Sequence, residues 1–366
     1  MGKKVGLKEI AYYISTAHVK LDLSFLKKLL KDASKSENPA MNLNFAKKLK
    51  AKKFTHGHGY TTVRGWISGR CTIPMSKLII IINLSKRYFW SDVEKNLEYI
   101  KAGPRRGQVK IQFPLKINKS LGSVIGYVLG DGSIDKRFHA VFFSNKNKEL
   151  LQDFSDKMFE IFNILPRIWV QKKRKFHEKT IWSHRVYSVD AIPSDHCAGL
   201  FYPKICADIF YSIFGKFAEG KQKIITRQIN ESNSSFKQGL VSGFFDAEGS
   251  AQSENYSLRF VQDDKTLLKG IQLILKKEGI KTNPIHDYFK NDKIRHYFNI
   301  TSLPNYYRFY KKIGCISSQK NKELEKLIDK VSHSNKFKNK YDPNDFVLRQ
   351  SSGSTYKLGI VNKKEK

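Results

Sequence analysis

The sequence predicts an α+β protein in three parts: a small all-α unit over residues 1–100, then two successive copies of one α+β unit over 118–228 and 229–332. Three observations predict this. Apolar residues in the first hundred positions recur at helical spacing. A stretch starting near residue 121 returns without a gap at an offset of 117, Glu248 answering Asp131. Each copy opens on a helix with a small residue at every fourth position and runs on into strand-like segments.

In the first unit, Leu23, Phe25, Leu26, Leu29 and Leu30 form the apolar stripe of a helix over 23–33, and a second short helix covers 45–50. Val63, Trp66 and Ile67 at i, i+3, i+4 bury one face of a helix over 60–68, leaving Thr61, Thr62, Arg64 and Ser68 on the other. Gly69 suits its stop, and Pro74 the first turn of the next helix, which carries the apolar run 78–82. A polar, Arg-bearing helix on a small helical core resembles a Cro/repressor-like helix-turn-helix, which implies that Thr61, Thr62 and Arg64 meet DNA in the major groove. His56-Gly-His58-Gly reads as a glycine-rich turn, since no further metal ligands lie nearby. Residues 101–117 read as a basic linker and 333–366 as a basic, Lys/Ser/Asn-rich tail.

At the offset of 117, Gly122, Gly126, Gly132, Ser133, Phe143, Leu150 and Leu151 match Gly239, Gly243, Gly249, Ser250, Phe260, Leu267 and Leu268. The small residues Gly122, Gly126 and Gly130 in one helix, and Gly239, Gly243 and Ala247 in the other, recur every four positions. Glycine costs a helix interior about 1 kcal/mol. That cost makes sense if a second helix approaches along the stripe until backbones touch. The symmetric solution packs the two helices on each other about a pseudo-twofold axis. Each helix ends in an acid followed by glycine, Asp131-Gly132 and Glu248-Gly249, so both carboxylates meet at the axis. They repel unless a cation lies between them, and oxygen ligands select a hard ion such as Mg²⁺.

Strand pairs are expected over 133–144 and 250–262, helices over 147–162 and 265–277, and basic hairpins from 167–175 with 181–190 and from 284–290 with 293–300. These segments carry Arg167, Lys172, Arg174 and Arg185 in the first copy and Arg259, Lys293 and Arg295 in the second. Basic and polar side chains alternating on one face of a twisted sheet suit a major groove.

The charge balance points the same way. The 366 residues hold 67 Lys+Arg against 33 Asp+Glu, a net +34. That self-repulsion suits a polyanion partner and is foreign to an enzyme of small metabolites. The longest apolar run, 78–82, is far short of the roughly 20 residues a spanning helix needs, so no membrane role is expected. Cys71, Cys197, Cys206 and Cys315 form no CxxC pair, so neither a disulfide scaffold nor a zinc knuckle is expected. The setting this suggests is reducing and cytoplasmic, close to the nucleoid of a prokaryotic or archaeal host, or in an organelle.

Val124-Ile-Gly-Tyr-Val-Leu-Gly-Asp-Gly132 and Val241-Ser-Gly-Phe-Phe-Asp-Ala-Glu-Gly249 resemble the two copies of the LAGLIDADG motif of homing endonucleases and related maturases. The resemblance covers roughly 118–332. It implies an αββαββα fold in each half, with two antiparallel sheets forming a saddle over DNA. It further implies that Asp131 and Glu248 bind catalytic Mg²⁺ or Mn²⁺ with the Gly130 and Ala247 carbonyls nearby. A basic residue near the end of each half is also implied, carried by position onto Lys221 and Lys320, with Lys223 and Lys322 as close rivals. One departure is Asp246 at the sixth motif position, where the first copy has Leu129.

The expected activity is therefore site-specific double-strand cleavage by a monomer on a long asymmetric DNA target. The alternatives are an intron RNA-splicing maturase and a transcription regulator on the same scaffold. The chain lacks an initial nucleophile and a terminal His-Asn, so a free-standing protein is expected rather than an intein.

Overall fold

In the first unit, helices Leu23–Ser34, Leu43–Lys48, Thr61–Ile67 and Met75–Leu84 stand where the spacing puts them, joined by Leu7–Ala11 and Trp90–Lys95. The Asp22 side chain accepts from Phe25 N–H at 2.9 Å and starts the first of these. Gly69, at φ +70°, follows the end of Thr61–Ile67 in the left-handed conformation that glycine tolerates. The unit is not all-α, however. An antiparallel sheet runs through it in the order Ile73–Pro74, His18–Leu21, Leu97–Lys101, Gln108–Val109. Its inner strand alternates half-buried His18 and Lys20 with buried Val19 and Leu21. Four residues of period-two pattern are too few to stand out among helical stripes. The computed structural model describes residues 3–50, 61–103, 106–135, 140–171, 182–194, 196–220, 222–290, 293–333, 347–350 and 356–359. His56 and His58 lie outside them.

The expected linker is woven into its surroundings: Gln108–Val109 closes the edge of the first sheet, and Leu115–Lys116 pairs with Lys4–Val5 near the start of the chain. In the tail, Val347–Gln350 pairs antiparallel with Tyr356–Gly359.

The repeat is structural as well as sequential. Strand Gly132–Ile134 pairs with Val141–Asn145 with Gly132 opposite Phe143, and Gly249–Gln252 pairs with Ser257–Gln262 with Gly249 opposite Phe260. Helices Lys148–Phe162 and Lys265–Lys277 follow, capped by Asn147 and Asp264. Phe143 and Phe260 anchor the two cores, stacking on Phe154 at 4.7 Å and on Phe298 at 4.8 Å. The second half completes its sheet with Lys293–Ile300 inside and His286–Lys290 at the edge. The first half departs from αββαββα. Trp182–Val186 is an extra strand at the edge of a five-stranded sheet, and the place that Lys293–Ile300 holds in the second half, Phe298 opposite Phe260, is taken between Val141–Asn145 and Arg167–Gln171 by Ala198–Tyr202, Leu200 opposite Phe143. The run Ala-Gly-Leu-Phe-Tyr of Ala198–Tyr202 is nearly all buried and carries no alternation to mark it.

Between the halves, helices Lys119–Leu129 and Ser234–Glu248 lie side by side and parallel. A Cβ on Gly122 or Gly126 would overlap the carbonyl oxygen of Phe236 or Leu240, and one on Gly239 or Gly243 that of Lys119 or Ser123. At the far end a Cβ on Gly130 would overlap that of Ala247. The remaining faces of the helices bury Val124, Ile125 and Val128 in one half and Val241, Phe244 and Phe245 in the other. Backbone on backbone leaves no flexible group to yield. Gly126→Ala or Gly243→Ala should therefore cost about 1–3 kcal/mol or more, as overpacked interiors do. A thermal melt unchanged from the parent protein would show that the contact is looser than described.

Candidate active site between the two halves

Because the helices run parallel, their C-termini fall at the same end of the axis. Each motif acid is held the same way. Asn145 donates to Asp131 Oδ2 at 2.8 Å, and Gln262, at the equivalent repeat position, donates to Glu248 Oε1 at 3.1 Å. Each amide sits at the last residue of the strand facing its own acid, so the register that pairs Gly132 with Phe143 also delivers Asn145 to Asp131. The two acids feel each other. Burial pushes Asp131 up to about 7, with the Glu248 charge as the second cause. Burial likewise raises Glu248. Asp131 keeps an exposed edge in the cleft, so water there moderates both the burial and the Glu248 repulsion that raise it.

A lysine closes each side. Lys223, on the short strand Gln222–Lys223 paired with Ala218–Glu219, donates to the Gly130 carbonyl oxygen. Lys320, in the first turn of helix Ser318–His333, donates to the carbonyl oxygens of Phe245 at 2.9 Å and Asp246 at 2.6 Å. Burial lowers the pKa of both lysines against the pull of the nearby carboxylates. They also meet the negative ends of the motif helices. Asp131, Asn145, Ala247 and Lys320 line an open cleft of about 510 Å³.

Of the expected site residues, the structure unites Asp131, Glu248, Gly130, Ala247 and Lys320. Lys221 lies outside the described residues, and Lys223 is the lysine brought to the first motif. Gln222-Lys223 and Gln319-Lys320 are thus the corresponding pairs, a match two residues away from the expected pairing of Lys221 with Lys320. Asn145 and Gln262 were legible too, as amides at the 117-residue offset. Asp246 proves structural. Its carboxylate accepts from the N–H groups of Ile316 at 2.8 Å and Ser317 at 3.1 Å, fixing the entry to the helix that carries Lys320. Glu149, from the other half, accepts from Ser318 N–H and Oγ at 2.8 and 2.6 Å at the same entry.

The open faces of the two sheets differ. In the second half, the Arg259 guanidinium lies 3.8 Å from the Tyr297 ring and 5.3 Å from that of Tyr288, with Arg295 directly opposite Tyr288. Arg295 is drawn to Asp263 at 2.6 Å, and Lys293 is exposed at its strand start. In the first half, Phe142 and Phe201 pair at 4.7 Å beside half-buried Trp169, with exposed Arg167 opposite Phe201. Arg185 is exposed and lies 5.2 Å from the Tyr187 ring; Lys172 and Arg174 lie outside the described residues. In the N-terminal unit Arg64 is exposed and Thr62 half-buried, while the Thr61 side chain lies outside the described residues.

Paired helices with an acid at each end and a sheet on either side define a protein of two fused, pseudo-symmetric halves. Residues 118–192 and 235–314 match the LAGLIDADG-like domain, so the chain carries two copies of it. Curated relatives include the DNA-directed RNA polymerase subunit Rpo1C of Methanocaldococcus jannaschii, 23% identical over 253 residues, which are 69% of this chain and 26% of that protein. The glutamine–fructose-6-phosphate aminotransferase of the same organism is 24% identical over 224 residues, 60% of this chain and 18% of that protein. The chain thus spans about a quarter or less of the curated relatives it matches. Among solved structures, the homing endonuclease I-WcaI bound to its DNA recognition sequence is 17% identical, with 57% of this chain and 87% of that one covered at a TM-score of 0.39. I-DmoI in complex with DNA and Mn is 16% identical, with 54% and 98% covered at 0.38. Full-length DUF199/WhiA from Thermatoga maritima is 14% identical, with 58% and 61% covered at 0.38. No helix among the described residues is long and apolar enough to cross a membrane.

The raised Asp131 carboxyl has a measurable consequence. The folded state holds its proton more tightly than the unfolded chain, whose aspartates titrate near 3.9, so its stabilising contribution is present at low pH and lost as pH rises toward about 7. In a chelator, the melting temperature should fall more steeply between pH 5 and 7 for the parent protein than for Asp131→Asn. Parallel curves would show that Asp131 titrates as an ordinary surface acid.

Proposed function

We propose that this protein is a divalent-metal-dependent DNA endonuclease whose two halves each cut one strand. The observation that carries the reading is the repeat-related pair Asp131 and Glu248, each oriented by its own amide and the two flanked by Lys223 and Lys320. Two carboxylates pushed together at the axis of a +34 chain suit a hard cation and a phosphodiester better than any small apolar substrate. Among the described residues no cluster of three acids, histidines or cysteines stands ready for a metal, so carbonyls, water or the substrate phosphate must complete the ligand set. Asp131 and Glu248 would hold Mg²⁺ or Mn²⁺, with Ala247 and the remaining lone pair of the Gly130 oxygen as further ligands. The ion would supply Lewis acidity and charge compensation for in-line hydrolysis. Asn145 and Gln262 fix the direction of the carboxylates. Lys223 and Lys320 place positive charge beside the acids, where the phosphate carries its negative charge.

The two curated relatives are named for unrelated reactions, RNA synthesis and amino transfer, and match this chain over a minor part of their length. Neither reaction comes with the match. The sheet residues Arg167, Arg185, Arg259, Lys293 and Arg295, with Lys172 and Arg174, would line the duplex, and Arg64, Thr61 and Thr62 would add a second contact from the N-terminal unit.

The decisive measurement is metal-dependent linearisation of plasmids carrying the protein's own genomic locus with and without any intervening sequence. Asp131→Asn and Glu248→Gln should each abolish double-strand cleavage while DNA affinity stays within about threefold of the parent. Full cleavage by either variant sinks the assignment, and tight binding without cleavage by the parent favours the regulator or maturase. Lys223→Met should reduce cleavage at least tenfold; an unchanged rate would move the role elsewhere.

A further inference from the structure

The N-terminal unit contains a cavity of about 500 Å³ that the nuclease reading does not use, within the range small-ligand sites occupy. It lies between the helix Thr61–Ile67, the turn that follows it, and one face of the small sheet. The sheet supplies cations in adjoining registers: His18 stands opposite Lys101, and Lys20 opposite Tyr99. Arg70 enters from the turn, and Thr62 and Trp66 line the helix side. None of the described residues that line it is acidic. The scaffold holds the charges in place. Lys20 donates to the Gly69 carbonyl at 2.6 Å, closing the turn onto the sheet, His18 Nδ1 meets Thr72 Oγ1 at 3.2 Å, and Arg70 Nε reaches Ser68 Oγ at 3.2 Å. The field is positive enough to act on its own members, since Lys101 adds to burial in lowering the His18 pKa.

Lysine, a forked guanidinium, a threonine hydroxyl and an aromatic wall are the groups that seat phosphate and sugar. We propose that this cavity binds a phosphodiester of the nucleic-acid backbone, beside the helix that carries exposed Arg64. The proposal rests on the DNA-binding part of the function above and is independent of cleavage. It extends the contact beyond the helix to residues of the sheet and turn.

The test is binding of the full chain, in chelator, to a labelled random-sequence duplex of about 40 base pairs across a salt series. Arg70→Gln/Lys101→Gln should make the slope of log K against log[salt] shallower by about 0.9 to 1.8, one or two phosphate contacts' worth. Lys27→Gln/Lys28→Gln, which removes the same charge from exposed positions of the helix Leu23–Ser34, should leave the slope unchanged. If the first double variant does not melt cooperatively, Lys101→Gln alone should still flatten the slope. An unchanged slope, or an equal change in the control pair, overturns the proposal while leaving the nuclease reading intact. Saturable binding of inorganic phosphate or AMP that neither competes with the duplex nor shifts its slope assigns the cavity to a free anion and also overturns it. A parent chain that binds no duplex brings down both readings together.

Discussion

The contact of Lys119–Leu129 with Ser234–Glu248 sets everything else in this molecule. Gly122, Gly126, Gly239 and Gly243 each face a carbonyl of the partner helix, so the two axes come as close as backbones permit. The parallel direction then forces both C-termini to one end, which brings Asp131 to Glu248, and the pseudo-twofold relation lays one sheet on either side. A more distant helix packing would bury the same leucines and phenylalanines yet separate the acids. Two such glycines in each helix weaken it by about 1 kcal/mol apiece, which burial of the outward faces has to offset. Neither helix is designed to stand alone.

Bringing two carboxylates together in a crevice is unfavourable, and the surroundings are arranged around that fact. Amide donors satisfy one oxygen of each acid. Lysines arrive from two separate elements and hold on to main-chain oxygens, leaving the acids themselves unpaired with them in any short ion pair. Asp246 and Glu149 secure the helix entry near Lys320 from both halves of the chain. The assembly therefore couples the halves at a second place, away from the glycine stripe, and that place bears directly on the cleft.

Much of this is legible in the sequence because it is repetitive. The offset of 117 marks both motif helices, their strands and the following helices, and Lys265–Lys277 falls on the residues its spacing predicts. What repetition does not carry is harder to see. Strand Ala198–Tyr202 is the counterpart of Lys293–Ile300, but the extra strand Trp182–Val186 before it breaks the offset, and the buried run of Ala198–Tyr202 lacks any period. The N-terminal strands are two to five residues long, and His18–Leu21 meets both of its neighbours across 50 or more positions, so no local pattern announces those pairings. The first lysine is a question of register. Lys221 and Lys223 are indistinguishable by composition, and only the pairing of Ala218 with Lys223 brings one of them to the Gly130 oxygen.

The unlike sheet faces give the molecule a heading. At the end that carries Asp131 and Glu248 the two halves are near copies, but outward from the axis one arm offers Arg259 between two tyrosines and the other the Phe142–Phe201 pair beside Trp169. A duplex laid along the molecule as proposed would meet a cation held between rings on one side, and a ring pair flanked by Arg167 on the other. Turning it end for end would exchange those partners and lose contacts on both arms. On the proposed function, the unlike arms would match a sequence whose left and right halves differ, and a perfect palindrome would satisfy one arm only by disappointing the other.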